Sequence, residues 1–160
     1  MSDKISTTED TEITKTRIDV NELSKAVIGC AIEVHRALGP GLLESTYEIC
    51  LCHELTLQAI PFERQKPIPV AYRGVKLDCG YRADLIVDRL LVEIKAIDQT
   101  SAIHDAQLLS YLKLSGLKVG LLINFNVRML KEGVRRKVVA QRKFHCSSVF
   151  SVISVVKYSG

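Results

Sequence analysis

Two carboxylates and a lysine define the chemistry open to this chain. In the stretch Arg82-Ala-Asp-Leu-Ile-Val-Asp-Arg-Leu-Leu-Val-Glu-Ile-Lys-Ala96, two apolar runs flank Asp88-Arg89, a polar pair of the kind that closes a tight β-hairpin. With those residues as the loop, Val87 faces Leu90, Ile86 faces Leu91 and Asp84 faces Glu93. Side chains alternate faces along a strand, so Lys95 projects from the same surface as Glu93, one step further on. Like charges set opposite each other destabilise a sheet, and the neighbouring positions are apolar, so folding energetics give no reason for this pair. A bound divalent cation supplies one. Hard oxygen ligands on two rigid strands suit Mg²⁺ or Mn²⁺, with water and a substrate phosphate completing the shell. An adjacent lysine can then orient a water and neutralise charge developing on phosphorus. The plainer reading, a Lys95 bridge to one carboxylate on a solvated strand face, leaves the second carboxylate unexplained.

The rest of the chain must hold that hairpin. Asp19-Val-Asn-Glu22 resembles a capping box, and Leu23, Ala26, Val27, Cys30, Ala31 and Val34 follow helical spacing. His35, at the edge of this stripe, reads either as a partly buried histidine or as a phosphate contact. Leu38-Gly-Pro-Gly41 must end the helix. A second helix is expected from Leu42 to about Gln58, with Leu43, Tyr47, Cys50, Leu51 and Leu55 apolar. Glu44 suits its first turn on electrostatic grounds alone. Glu44 and Tyr47 are three apart and share a face, so this helix could aim both at the acidic surface.

Pro67 and Pro69 confine residues 62–71 to an edge strand or irregular chain. A turn at Tyr72-Arg-Gly-Val75 and the alternation Val75, Leu77, Cys79, Tyr81 then predict a β-meander running into the hairpin. Asp98 to Ser101 supply N-cap residues for a helix that ends at Gly116 and carries Gln107 and Tyr111 one turn apart. Residues 119–125 form a nearly continuous apolar run, as a central strand buried on both faces would.

With 160 residues, 47% hydrophobic and 25% charged, the chain fits one α/β domain, here placed at 19–145. Residues 1–18 read as a disordered arm, and 146–160 as an extra strand or a homodimer contact. The net charge of +4 permits an anionic partner without demonstrating one. Arg135, Arg136 and Lys137 in the basic tail read equally as a solvated face or a phosphate-contacting strip. Five cysteines, odd in number and without Cys-x-x-Cys spacing, indicate neither a disulfide framework nor a zinc site. No targeting segment or membrane span is visible, and a cytoplasmic protein is expected.

The ordered set Gly41-Leu-Leu-Glu44-Ser-Thr-Tyr47, Tyr81-Arg-Ala-Asp84, Glu93-Ile-Lys95 and Gln107-x-x-x-Tyr111 resembles the PD-(D/E)XK nuclease superfamily. Within it, the chain is most similar to the GxxExxY family, whose name Gly41, Glu44 and Tyr47 match. The resemblance covers roughly residues 22–126, Asn124-Phe125 included, and Ala-Asp stands where the superfamily name has Pro-Asp. It implies a restriction-endonuclease-like fold, a mixed central sheet flanked by helices. It further implies that Glu44 contacts a metal or its water, and that Gln107 and Tyr111 orient Lys95 or touch DNA. The iron-sulfur cysteines of some RecB-like nucleases have no match here. Together these expectations describe a Mg²⁺-dependent nuclease acting on DNA, with metal held by Asp84, Glu93, the Ile94 carbonyl and Glu44, and with Tyr47, Tyr111, His35, Arg135 and Arg136 as substrate contacts. The alternative is a non-catalytic module that binds nucleic acid or a nucleotide on the same surface.

Overall fold

The computed structural model describes residues 19–78 and 80–140. The expected N-terminal arm and the apolar segment 146–160 lie outside the described residues, as do Cys79, Arg142, Lys143 and Cys146. Helix α1 (Val20–Leu38) begins where Asp19 accepts the Asn21 N–H at 3.2 Å. Of the predicted stripe, Leu23, Val27, Cys30, Ala31 and Val34 are buried, whereas Ala26 is exposed. Gly39 ends the helix with φ 68°, a value that suits glycine, and donates its N–H to the His35 carbonyl at 2.8 Å. Helix α2 (Glu44–Leu57) follows within a few residues and buries Tyr47, Leu51 and Leu55, while Leu43 is left exposed just before it.

The main sheet has five strands in the order β1 (Glu63–Pro67), β4 (Arg82–Val87), β5 (Leu90–Lys95), β6 (Val119–Asn124), β7 (Val134–Val138). All neighbours are antiparallel except β5 and β6, which are parallel and joined through helix α3 (Ala102–Ser115), as a parallel crossover requires. This is the mixed sheet flanked by helices that the resemblance implies. Leu85, Val87, Leu90, Val92, Ile94, Leu121 and Ile123 pack against α1 and α2 in one cluster. Ile86, Leu91 and Leu122 pack against Leu108, Tyr111 and Leu112 of α3 in the other. Strand β6 is buried along its whole length and lies inside the sheet, as its apolar run predicts. Helix α3 comes so close to it that a Cβ on Gly120 would stand 2.8 Å from Leu108 Cδ1. A short helix α4 (Leu130–Gly133) leads into β7.

The predicted meander is corrected. Strands β2 (Val70–Tyr72) and β3 (Val75–Leu77) form a separate two-stranded sheet, and β1, not β3, pairs with β4. Strand β3 ends at Leu77, and beyond it Gly80 takes φ 73° and donates its N–H to Asp78 Oδ1 at 3.1 Å. Proline 67 sits on the edge strand, where a missing N–H does least harm.

Candidate active site

The β4–β5 register is Leu85–Val92, Ile86–Leu91 and Val87–Leu90, so Asp88-Arg89 is the loop, with Asp88 at φ 49°. Continued one step, that register sets Asp84 opposite Glu93. The backbone ladder ends there and a side chain takes over, because Asp84 Oδ2 accepts the Ile94 N–H at 2.8 Å. Glu93 is 2% exposed and its Oε1 has no hydrogen-bond partner. Burial, and then the Asp84 charge, push the Glu93 carboxyl up to about 8, against the pull of Lys95. Burial also raises Asp84, which the Ile94 N–H and Lys95 hold back. Lys95 is half-buried at the end of β5, and its backbone is tied down next door. The Phe125 N–H donates to the Lys95 carbonyl at 2.8 Å, while Asn124 accepts the Ile97 N–H at 3.1 Å and donates to the Ile97 carbonyl at 2.8 Å.

On the α2 side, Asp84 and Ile94 open into a cleft of about 570 Å³ lined also by Leu42, Leu43, Glu44, Glu48 and Gln65. Glu44 does reach the hairpin: its Oε1 accepts the Ala96 N–H at 3.1 Å, joining the start of α2 to the end of β5. Two lining residues had no place in the sequence-based expectations. Glu48 is buried, pairs with Arg64 and accepts the Gln65 Nε2 at 2.9 Å, and the same Nε2 approaches Asp84 Oδ1 at 3.3 Å. Glu48 had a signal, since Glu44 and Glu48 are a like-charged pair one turn apart, which costs helix stability unless something else uses it. Gln65 had none. It lies in an unremarkable extended stretch, and only the structure shows its φ of 50° at the level of Asp84.

The other residues expected at the site make contacts within the protein. Tyr47 does not share the acidic surface with Glu44: it is fully buried, its ring stacks on Phe125 at 4.5 Å, and its hydroxyl donates to the Gly39 carbonyl and accepts the Leu42 N–H. The Gly-to-Tyr motif is thus a loop clasp, because the tyrosine satisfies backbone groups of the turn that delivers Glu44. His35 is 2.8 Å from the Val127 carbonyl through Nε2, which makes it a buried-edge tie. Gln107 Nε2 is bonded to the Tyr111 hydroxyl at 3.1 Å, and Tyr111 is buried against Leu91 and Leu112 with its ring 5.9 Å from that of Tyr81. The basic strip is split by strand alternation: Arg135 and Lys137 both reach Asp105 on α3, at 3.2 and 3.0 Å, while Arg136 turns to Asn21 on α1. Those pairings pull the Asp105 carboxyl below its usual range, Lys137 most strongly.

A buried Glu93 and a half-buried Asp84 beside a lysine, at the end of two paired strands, are groups that phosphodiester hydrolysis can use. Residues 21–137 match the family model of the PD-(D/E)XK nuclease superfamily, and the chain belongs to that superfamily. No curated protein and no solved structure shows significant similarity to it. Among the described residues, no three His, Cys, Asp or Glu side chains gather as a ready-made metal cage, and no helix is long and apolar enough to cross a membrane. The donors present nonetheless fit a Mg²⁺-type ion, which usually takes only one or two carboxylates and completes its shell with water and phosphate. The partnerless Oε1 of Glu93 is the observation that supports this fit.

Proposed function

We propose that the protein is a metal-dependent nuclease that hydrolyses phosphodiester bonds in DNA. The observation that carries the reading is Glu93, a buried carboxyl with a partnerless oxygen, close enough to Asp84 for the two charges to interact. Asp84, Glu93 and the Ile94 carbonyl would hold Mg²⁺ or Mn²⁺, with Glu44 at its margin, and the ion would supply charge stabilisation for in-line attack on phosphorus. Lys95 orients the attacking water and sets a positive charge against the phosphate. Gln65, itself anchored by Glu48, reaches Asp84, and Asn124 fixes the chain just after Lys95. The sequence motif supports placement in the GxxExxY group, where the clasp made by Tyr47 explains the spacing. Free thiols at Cys30, Cys50 and Cys52 support a cytoplasmic setting.

A second reading, a nucleic-acid-binding module without turnover, is favoured by one observation. Asp84 is already held by the Ile94 N–H and the Gln65 amide, so the site can persist without a cation. Incubation with labelled single- and double-stranded DNA in Mg²⁺, Mn²⁺ or EDTA separates the two. The nuclease reading expects cleavage that EDTA abolishes and that Asp84→Asn and Lys95→Ala remove; retained binding with no cleavage under any condition gives the second reading the lead.

A further inference from the structure

Strands β2 and β3 project beyond the main sheet as an arm closed by Arg73-Gly74, with φ 48° and 81°. The arm leaves the sheet where Pro67 pairs with Arg82, two residues along β4 from Asp84. Its register, Val70–Leu77 and Tyr72–Val75, puts four apolar side chains on one face. Tyr72, Val75 and Leu77 are 59%, 59% and 41% exposed, a state that a two-stranded hairpin does not favour unless a partner covers it.

The charges indicate which partner. Arg73 stands over the Tyr72 ring at 5.4 Å, and among the described residues neither Arg73 nor Lys76 pairs with a carboxylate. At the root of the arm, exposed Tyr81 leans on Tyr111, which Gln107 holds by its hydroxyl, and exposed Arg82 reaches the Gln65 carbonyl at 3.3 Å. Exposed aromatic faces beside unpaired cations are the equipment for stacking bases and meeting phosphates. The pairing of Ala71 with Lys76 turns Lys76 to the face opposite Tyr72, Val75 and Leu77, so the arm offers apolar and aromatic groups on one side, a cation on the other and Arg73 at its tip.

From the exposed tyrosines of the arm and its root, the cations at its tip and on its other face, and the carboxylates at the end of β4 and β5, we infer that the arm grips the nucleic-acid strand flanking the cleaved bond, with unpaired bases on Tyr72 and Tyr81 and phosphates on Arg73 and, across the hairpin, on Lys76. This rests on the nuclease reading and adds a substrate preference, for strands with unpaired bases beside the site. It also gives the Gln107–Tyr111 pair a task, support of the Tyr81 platform.

Fluorescence anisotropy of labelled single-stranded and duplex DNA, and of RNA, in EDTA tests the inference on the full chain. Tyr72→Ser should weaken single-strand binding about tenfold and duplex binding less. Arg73→Gln with Lys76→Gln should lower the magnitude of the log–log salt slope by about 1.5. Both changes lie at exposed positions, and melting curves check the fold; if Tyr72→Ser melts early, the charge variant alone decides. Unchanged affinity and slope in variants of a protein that binds and cleaves would overturn the arm and leave the nuclease reading standing. A wild type that neither binds nor cleaves any of these strands overturns both. Sedimentation that shows a dimer dissociating in Tyr72→Ser, with nucleic-acid binding intact, assigns the face to a second copy and also overturns the inference.

Discussion

The described residues contain two hairpins closed by two-residue loops, and they differ in almost everything else. The β4–β5 hairpin is sandwiched between helices, with Leu85, Val87, Leu90, Leu91 and Val92 almost wholly buried, and it carries its polar groups at the far end from the loop. Among the described residues, the β2–β3 hairpin packs under no helix, and it leaves Tyr72, Val75 and Leu77 exposed. Turn chemistry is sufficient to define both registers, since Asp88 and Arg73-Gly74 each adopt the left-handed conformation the turn needs. Burial is what separates them. In the covered hairpin a carboxyl loses its water and its proton affinity rises; in the open one the cations keep their solvation and stay available to a polyanion.

If that contrast is right, the largest effects belong to the buried hairpin. Asp84→Asn or Lys95→Ala should lower cleavage on the order of a thousandfold, measured as single-turnover rates at saturating Mg²⁺. Activity within a few-fold of wild type in either variant would remove the hairpin from the chemistry.

The next effect is a pH dependence of stability without metal. Glu93 has its carboxyl raised from 4.5 to about 8 in the folded protein, so between those values the folded state keeps a proton that the unfolded chain has lost. Stability should therefore be highest below pH 4.5 as far as this group is concerned, fall as pH rises through that window, and reach its full loss above 8. Glu93→Gln removes the titration, so in EDTA the variant should gain on wild type progressively from pH 5 to 9, by a few kcal/mol at most. Urea unfolding at several pH values checks this, and parallel curves for the two proteins would mean that Glu93 is solvated in the folded state. Added Mg²⁺ should narrow the gap by stabilising the wild type alone.

Smaller again is the clasp. Tyr47→Phe keeps the stack on Phe125 but leaves the Gly39 carbonyl and Leu42 N–H without their partner, for a loss of about 1–2 kcal/mol. Because the same turn delivers Glu44, the variant should also weaken Mg²⁺-dependent stabilisation. A stability loss with undiminished metal response would confine Tyr47 to the core. The smallest change is expected in the open hairpin, where Val75→Ser should shift stability by no more than about 0.5 kcal/mol. A loss several times larger would show that the arm is packed in solution, and the contrast between the hairpins would collapse.

The sequence alone determined what depends on neighbours along the chain. The loop at Asp88-Arg89 and the pairing of Leu85, Ile86 and Val87 with Val92, Leu91 and Leu90 follow from turn chemistry and an alternation of period two. The capped start of α1, the stop at Gly39, the edge position of Pro67 and the buried run of β6 follow from equally local rules. What the sequence could not show is which of several suitable partners a side chain finds across space. Tyr47 and Glu44 share a helical face, yet one enters the core and the other reaches Ala96, because the hydroxyl of Tyr47 is satisfied by a loop that folds back over it. Arg135, Arg136 and Lys137 form one run of charge in the chain, but the sheet sends them to opposite faces, where Asp105 and Asn21 await. Gln65 comes between Glu48 and Asp84 only because β1 pairs with β4, while β2 and β3, which separate them in the chain, form a sheet of their own. Local periodicity sets the direction in which a side chain points; only the packed fold decides what it meets there, because burial and pairing are sums over residues distant in sequence.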